Sequence, residues 1–129
     1  RQLLAVSREI EDRARRVGNG RLLVSFQHLS AFADQVEWYW TLGEAGLDIH
    51  VYGAPDWEPP AIPGVTFHGY GDDSLERYWV VTCDGGTQRS QACGLVGREY
   101  GDAYDGFWTD DPHLVDQIEA RLIAEAGVD

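Results

Sequence analysis

RLLVSFQHLSAFADQVEWYWTLGEAGLDIHVY, Arg21 to Tyr52, is the stretch that decides the fold. It opens with an apolar run, Arg21 to Phe26, short enough to be a buried strand. Ser30 is placed to cap a helix running to about Ala45, with Phe32, Val36, Tyr39 and Trp40 on or near one face. Gly46 suits the position just past the helix end, and Leu47 supplies the apolar contact that often follows it. Leu47 to Tyr52 then alternates, with Leu47, Ile49 and Val51 set against Asp48, His50 and Tyr52. Strand, helix and strand in about 30 residues predict a right-handed βαβ unit with parallel strands.

Upstream, Leu3, Val6, Ile10, Ala14 and Val17 form an apolar stripe between charges, the pattern of a helix, and Gly18-Asn19-Gly20 ends it. Downstream, Gly64 to Tyr70 reads as a third strand, broken by Gly71-Asp72-Asp73-Ser74. Tyr78 to Cys83 is a strong strand, DGGTQRS turns the chain, and Gln91 to Tyr100 returns as an antiparallel hairpin. Phe107-Trp108 suggests a last short strand. Asp111 and Pro112 then start a final helix with Leu114, Val115, Ile118 and Leu122 inward, ended by Gly127. The expectation is an α/β fold: a single mixed sheet of about five to six strands, with a βαβ start, a later antiparallel hairpin and about three helices. One domain spans 1–129.

Composition narrows the function classes. With 43% hydrophobic residues and five tryptophans, 129 residues can fill one core. Acidic residues number 22 against 10 basic ones, all arginine, for a net charge of −12. Such a surface repels phosphate backbones, so direct nucleic-acid binding is not expected. High-salt adaptation and a coding bias that replaces lysine with arginine both explain the balance. No run approaches the ~20 apolar residues of a membrane span. The N-terminal RQLLAVSREIEDRARR is charged and amphipathic, unlike a signal peptide, so the expected location is cytoplasmic.

Two loops concentrate tryptophan, acid and proline: VYGAPDWEPPAIPG, Val51 to Gly64, and YDGFWTDDP, Tyr104 to Pro112. The first follows the second parallel strand, at the carboxyl edge where open α/β sheets tend to bind ligands. The loop after the first strand lies at the same edge, carries no acid of its own, and leads into helix amides suited to a small ligand. Phe26, His28, Tyr52, Asp56 and Trp57 are therefore the candidate ligand-binding residues. In the plainer reading Pro55, Pro59, Pro60 and Pro63 stiffen a connection and Trp57 covers the core edge. In the second loop Asp110, Asp111 and Pro112 are expected to cap the final helix, with Trp108 buried nearby.

The remaining chemistry is sparse. His50 and Tyr52 share one strand face, as do His68 and Tyr70, so two His–Tyr faces meet if those strands pair. No metal site is expected, because Asp48 is the only nearby acid of the same parity. Cys83 and Cys93 fit no zinc spacing, but a hairpin centred on Gln88 sets them opposite each other, as a redox pair or as two buried small residues. No nucleophile elbow, Walker loop, dinucleotide fingerprint or zincin motif occurs, so no catalytic residue is assigned and an enzyme is not expected. The first helix is close to a heptad pattern, fit for a signalling or dimer contact or simply for packing on the sheet.

In order and spacing, IEDRARR, LLVSFQHLSAF, VYGAPDW, RYWVVTCD and DGFWTDDPHLVDQI resemble the DICT sensory domain, across about Ile10 to Ile123. The positions that carry the resemblance are Ser25, Phe26, Gly53, Pro55, Asp56, Trp108, Asp110 and Pro112. It implies an α/β input module of the kind found beside diguanylate cyclase domains, histidine kinases and DNA-binding regulators, with a suggested link to light responses. The implied function is sensory or regulatory and non-enzymatic, acting on an output domain or partner protein. The alternative is a protein-interaction or homodimerisation module using Trp38, Trp40, Trp57 or the first helix. No cofactor follows from either, and the ligand stays unassigned.

Overall fold

A computed structural model describes residues 2–69, 78–100 and 103–126. The sheet is built outward from β1 (Arg21–His28). On one side β1 pairs in parallel with β2 (Asp48–Ala54), Val24 beside Val51, and β2 pairs in parallel with β3 (Val65–Gly69). On the other side β1 runs antiparallel to β4 (Tyr78–Cys83), which is followed by β5 (Cys93–Tyr100) and β6 (Ala103–Thr109), each antiparallel to its neighbour. The spatial order is β3-β2-β1-β4-β5-β6. This is the mixed six-stranded α/β sheet that the sequence predicts.

Strand alternation sorts side chains onto two faces. Leu22, Val24, Ile49, Val51, Val81, Cys83, Cys93 and Leu95 point one way. They meet Ile10 and Ala14 of α1 (Gln2–Val17) and Tyr39 and Leu42 of α2 (Val36–Glu44). Leu23, Tyr52 and Val80 point the other way, against Ile118 and Leu122 of α3 (Pro112–Ala126). Phe32 anchors the first face, with its ring edge-on to Phe26, Tyr39 and Phe67 at centroid distances of 5.8, 4.9 and 5.2 Å. Each such pair adds about 1 kcal/mol beyond the area it buries.

The crossover from β1 to β2 differs from the single helix expected. Leu29–Gln35 forms a 3-10 helix, and the α-helix starts only at Val36. The tighter winding places residues three apart on one side, so Leu29 and Phe32 are buried together and Gln35 follows them toward α1. Ser30 does not cap α2. Trp40, expected on the apolar face, is 41% exposed, because Val36, Tyr39 and Leu42 carry the packing. Gly46 does end the segment, at φ +100, a conformation costly to any side chain.

At the other edge β6 pairs along its whole length, so the expected two-residue strand has seven. Trp108 is not buried beside the helix cap. It stands on β6, the outermost strand among the described residues, opposite Leu95, and is 44% exposed. Tyr70, the break at Gly71 to Ser74, and Gly127 lie outside the described residues, as does the side chain of Leu3.

Candidate functional site

β1 and β2 end at the same edge, at His28 and Ala54, and the loop after β2 folds back over the start of the 3-10 helix. Asp56 makes the clasp. Its Oδ1 accepts the Ser30 backbone N–H at 2.9 Å and its Oδ2 accepts the Ser30 hydroxyl at 2.7 Å. These bonds hold the Asp56 carboxyl below the ordinary carboxylate range. His28 Nδ1 lies 3.9 Å from Asp56 Oδ2. The loop after β1 carries no acid of its own, as read from the sequence, but Asp56, a candidate ligand residue from the next loop, binds the amide of Ser30. Gly53 permits the close fit, since a Cβ there would lie 2.9 Å from the Leu29 nitrogen.

The five candidate ligand residues divide. His28 and Asp56 come together, and Phe26 and Trp57 pack against the core on the α1 and α2 side. Tyr52 lies across the sheet, on the α3 side, because its position on β2 has the opposite parity. There it stacks on His68 at 4.6 Å. His50 Nδ1 and His68 Nε2 are 2.8 Å apart, so one ring N–H donates to the other ring's lone pair. His50 Nε2 lies 3.1 Å from Asp48 Oδ1. Burial, and then His50, hold His68 below the ordinary imidazole value. The three groups form a chain rather than a cage, and among the described residues no three His, Cys, Asp or Glu side chains converge as metal ligands.

Two buried carboxylates escaped the sequence reading. Glu11, 4% exposed on α1, accepts the Trp38 indole N–H at 2.8 Å, the Tyr39 hydroxyl, and Arg8 Nη1 at 3.1 Å. Arg8 also donates to Gln35 Oε1 at 2.9 Å and lies over the Trp38 ring. Glu11 thus ties α1 to α2, and Arg8 ties α1 to the end of the 3-10 helix. Burial raises its carboxyl above the ordinary value despite those hydrogen bonds, and burial together with Glu11 drives the Tyr39 hydroxyl well up. On the other face Glu119 of α3 accepts Arg21 Nη2 at 2.9 Å and the Thr82 hydroxyl at 3.1 Å, and burial raises it too. The available signal was a carboxylate inside an apolar helical stripe: Ile10, Glu11, Ala14 and Val115, Ile118, Glu119, Leu122.

Asp111 Oδ1 accepts the His113 N–H at 3.0 Å and Pro112 occupies the first helical position, while Asp110 is exposed. Cys83 and Cys93 face each other in register, buried and unbridged, with sulfurs 3.7 Å apart. A groove of about 470 Å³ between α3 and the outer strands is lined by Tyr78, Val80, Val96, Phe107, Ile118 and Leu122.

Residues 1–99 match the family model DICT, described as the sensory domain in diguanylate cyclases and two-component systems. The chain belongs to the DICT family. The match runs from α1 through most of β5, so Trp108, Asp110 and Pro112, which entered the sequence resemblance, fall outside it. No curated protein matches this DICT chain. A solved structure, the polyphosphate kinase from Porphyromonas gingivalis, is similar to 90% of the chain at 16% identity with a TM-score of 0.61. The chain spans 20% of that protein's length, and the likeness is one of fold. Among the described residues no helix is long and apolar enough to cross a membrane.

Proposed function

We propose that residues 1–129 act as one non-enzymatic sensory input domain. The signal is a small ligand or partner group received at the edge formed by His28, Ser30, Asp56 and Trp57, with Phe26 behind them. Reception opens the Asp56 clasp and shifts the 3-10 helix. That shift passes through Gln35, Trp38 and Tyr39 to Arg8 and Glu11, and so to α1, the helix facing an output domain or partner protein. The working location is the cytoplasm. Family membership supports the sensory role, and the observation that carries the route is the Arg8–Glu11 cluster, where Arg8 reaches Gln35 at the end of the 3-10 helix that Asp56 holds at Ser30 and Glu11 binds Trp38 and Tyr39 of α2.

Such a device works only if the ligand binds the open and clasped states unequally. The test is calorimetry and thermal shift against nucleotides, flavins, tetrapyrroles and metal ions, with Asp56→Ala alongside. A ligand that raises the melting temperature of the parent and loses that effect in the variant supports the reading. Binding unaffected by Asp56→Ala refutes this edge as the receiving site.

A second reading, an interaction or dimerisation module, draws on Trp40, Phe107 and Trp108, which are 41, 48 and 44% exposed. Trp38 and Trp57 serve it less well, being packed against the core.

A further inference from the structure

We propose that Cys83 and Cys93 are a reversible dithiol–disulfide site, oxidised by a hydroperoxide, whose state is read by α1. The first observation is geometric. The two residues are direct partners on antiparallel strands, their sulfurs are 3.7 Å apart, and both sit in the core under Ile10 and Ala14 of α1. Opposed residues on such strands have Cα atoms roughly 4.5–5.5 Å apart, inside the ~4.4–6.8 Å window of disulfides. Their Cβ atoms, at roughly 4.5–5.5 Å, stand somewhat beyond the ~3.8 Å mean of relaxed bridges. The bond is therefore reachable by a side-chain adjustment and is strained once formed. Strain makes a disulfide easily reduced, which suits a switch rather than a permanent staple.

The two thiols are not equivalent. Facing Cys93 lowers the Cys83 thiol, burial opposes this, and the Cys93 and Gly85 amides and the Arg13 guanidinium on α1 lower it further, so it is held below the ordinary value. Cys93 is driven strongly up by facing Cys83 and by burial. The Gly85 amide beside Cys83 makes Cys83 the attacking sulfur of this proposal and Cys93 the resolving one. The Cys83 thiolate attacks one peroxide oxygen and the O–O bond breaks. With hydrogen peroxide the departing hydroxide takes up the proton that Cys83 released on ionising and leaves as water, and Cys83 is a sulfenic acid. Cys93 sulfur then attacks the Cys83 sulfur, the S–O bond breaks, and its hydroxide leaves as a second water with the Cys93 proton. Two thiols lose two electrons and one hydroperoxide gains them; two electrons from a thiol reductant restore the pair.

The sulfurs close from 3.7 Å to about 2.05 Å, directly beneath a helix that packs on β4, β5 and the Arg89–Gln91 turn. Oxidation therefore alters the seat of α1 from below, independently of any ligand at the Asp56 edge, and the two readings fail separately. The experiment treats the full chain with hydrogen peroxide and follows intact mass, free thiols and hydrogen exchange of α1. Expected are a monomer lighter by two hydrogens, loss of both thiols together, reversal by dithiothreitol, and altered exchange around Ile10 and Ala14. Cys93→Ser should leave a sulfenic acid at Cys83 that dimedone traps, while Cys83→Ser slows reaction at Cys93 by about tenfold or more. If either variant misfolds, a redox-buffer titration of the parent decides alone. Thiols that react only after denaturation, or a bridge only between chains, overturn the site; an intramolecular bridge with unchanged α1 exchange overturns the switch.

Discussion

The carboxylate of Glu11 accepts the indole N–H of Trp38 at 2.8 Å, joining α1 to α2 through two residues 27 apart in sequence. A buried acid in this position is held by partners on both helices, so its removal strands several polar groups at once. Glu11→Ala should cost about 3 kcal/mol in denaturant unfolding, and Glu11→Gln, which keeps an acceptor oxygen, about 1 kcal/mol. Equal losses in both variants would mean that the site is mere packing.

The same acid sets a pH dependence. Burial raises Glu11 and Glu119 above the ordinary carboxylate value of 4.5, so the folded chain binds those protons more tightly than the unfolded one. Their contribution to stability is fully present below that value and is lost as pH rises through the raised folded values. Replacing both with glutamine should flatten the fall in stability above about pH 4.5. Melting curves from pH 4 to 8 check this; an unchanged slope contradicts it.

How far the sequence discloses the fold depends on periodicity. Leu47, Ile49 and Val51 alternate cleanly, and β2 lies where that alternation puts it. The same parity puts Tyr52 behind the sheet, away from Phe26 and His28, so sharing an edge in sequence did not mean sharing a face. The 3-10 segment was hidden because Leu29, Phe32 and Val36 suit an α-helix equally well, and the Ser30 bonds to Asp56 come from a loop 26 residues away. Glu11 and Glu119 read as surface charges until their partners, supplied by other elements, are in place. Trp108 looked buried because local composition cannot say which strand is outermost.

Phe32 is the aromatic hub of the α1 and α2 face, fully buried against three rings. Phe32→Ala should destabilise by about 3–5 kcal/mol, read from the denaturant midpoint. A loss below about 1 kcal/mol would show that the site collapses freely.

Trp40 should behave in the opposite way. Trp40→Ser is expected to change stability by less than about 0.5 kcal/mol and to leave the mass in light scattering unaltered. A fall in mass on this substitution would favour the interaction reading over the sensory route.

The route from the Asp56 clasp to α1 is tested most directly by hydrogen exchange on Asp56→Ala. Loss of the Ser30 bonds should speed exchange across Leu29 to Gln35 and also in α1 around Arg8 and Glu11. With Glu11→Ala already in place, Asp56→Ala should add nothing in α1. Faster exchange confined to Leu29 to Gln35, with α1 unchanged, contradicts the route.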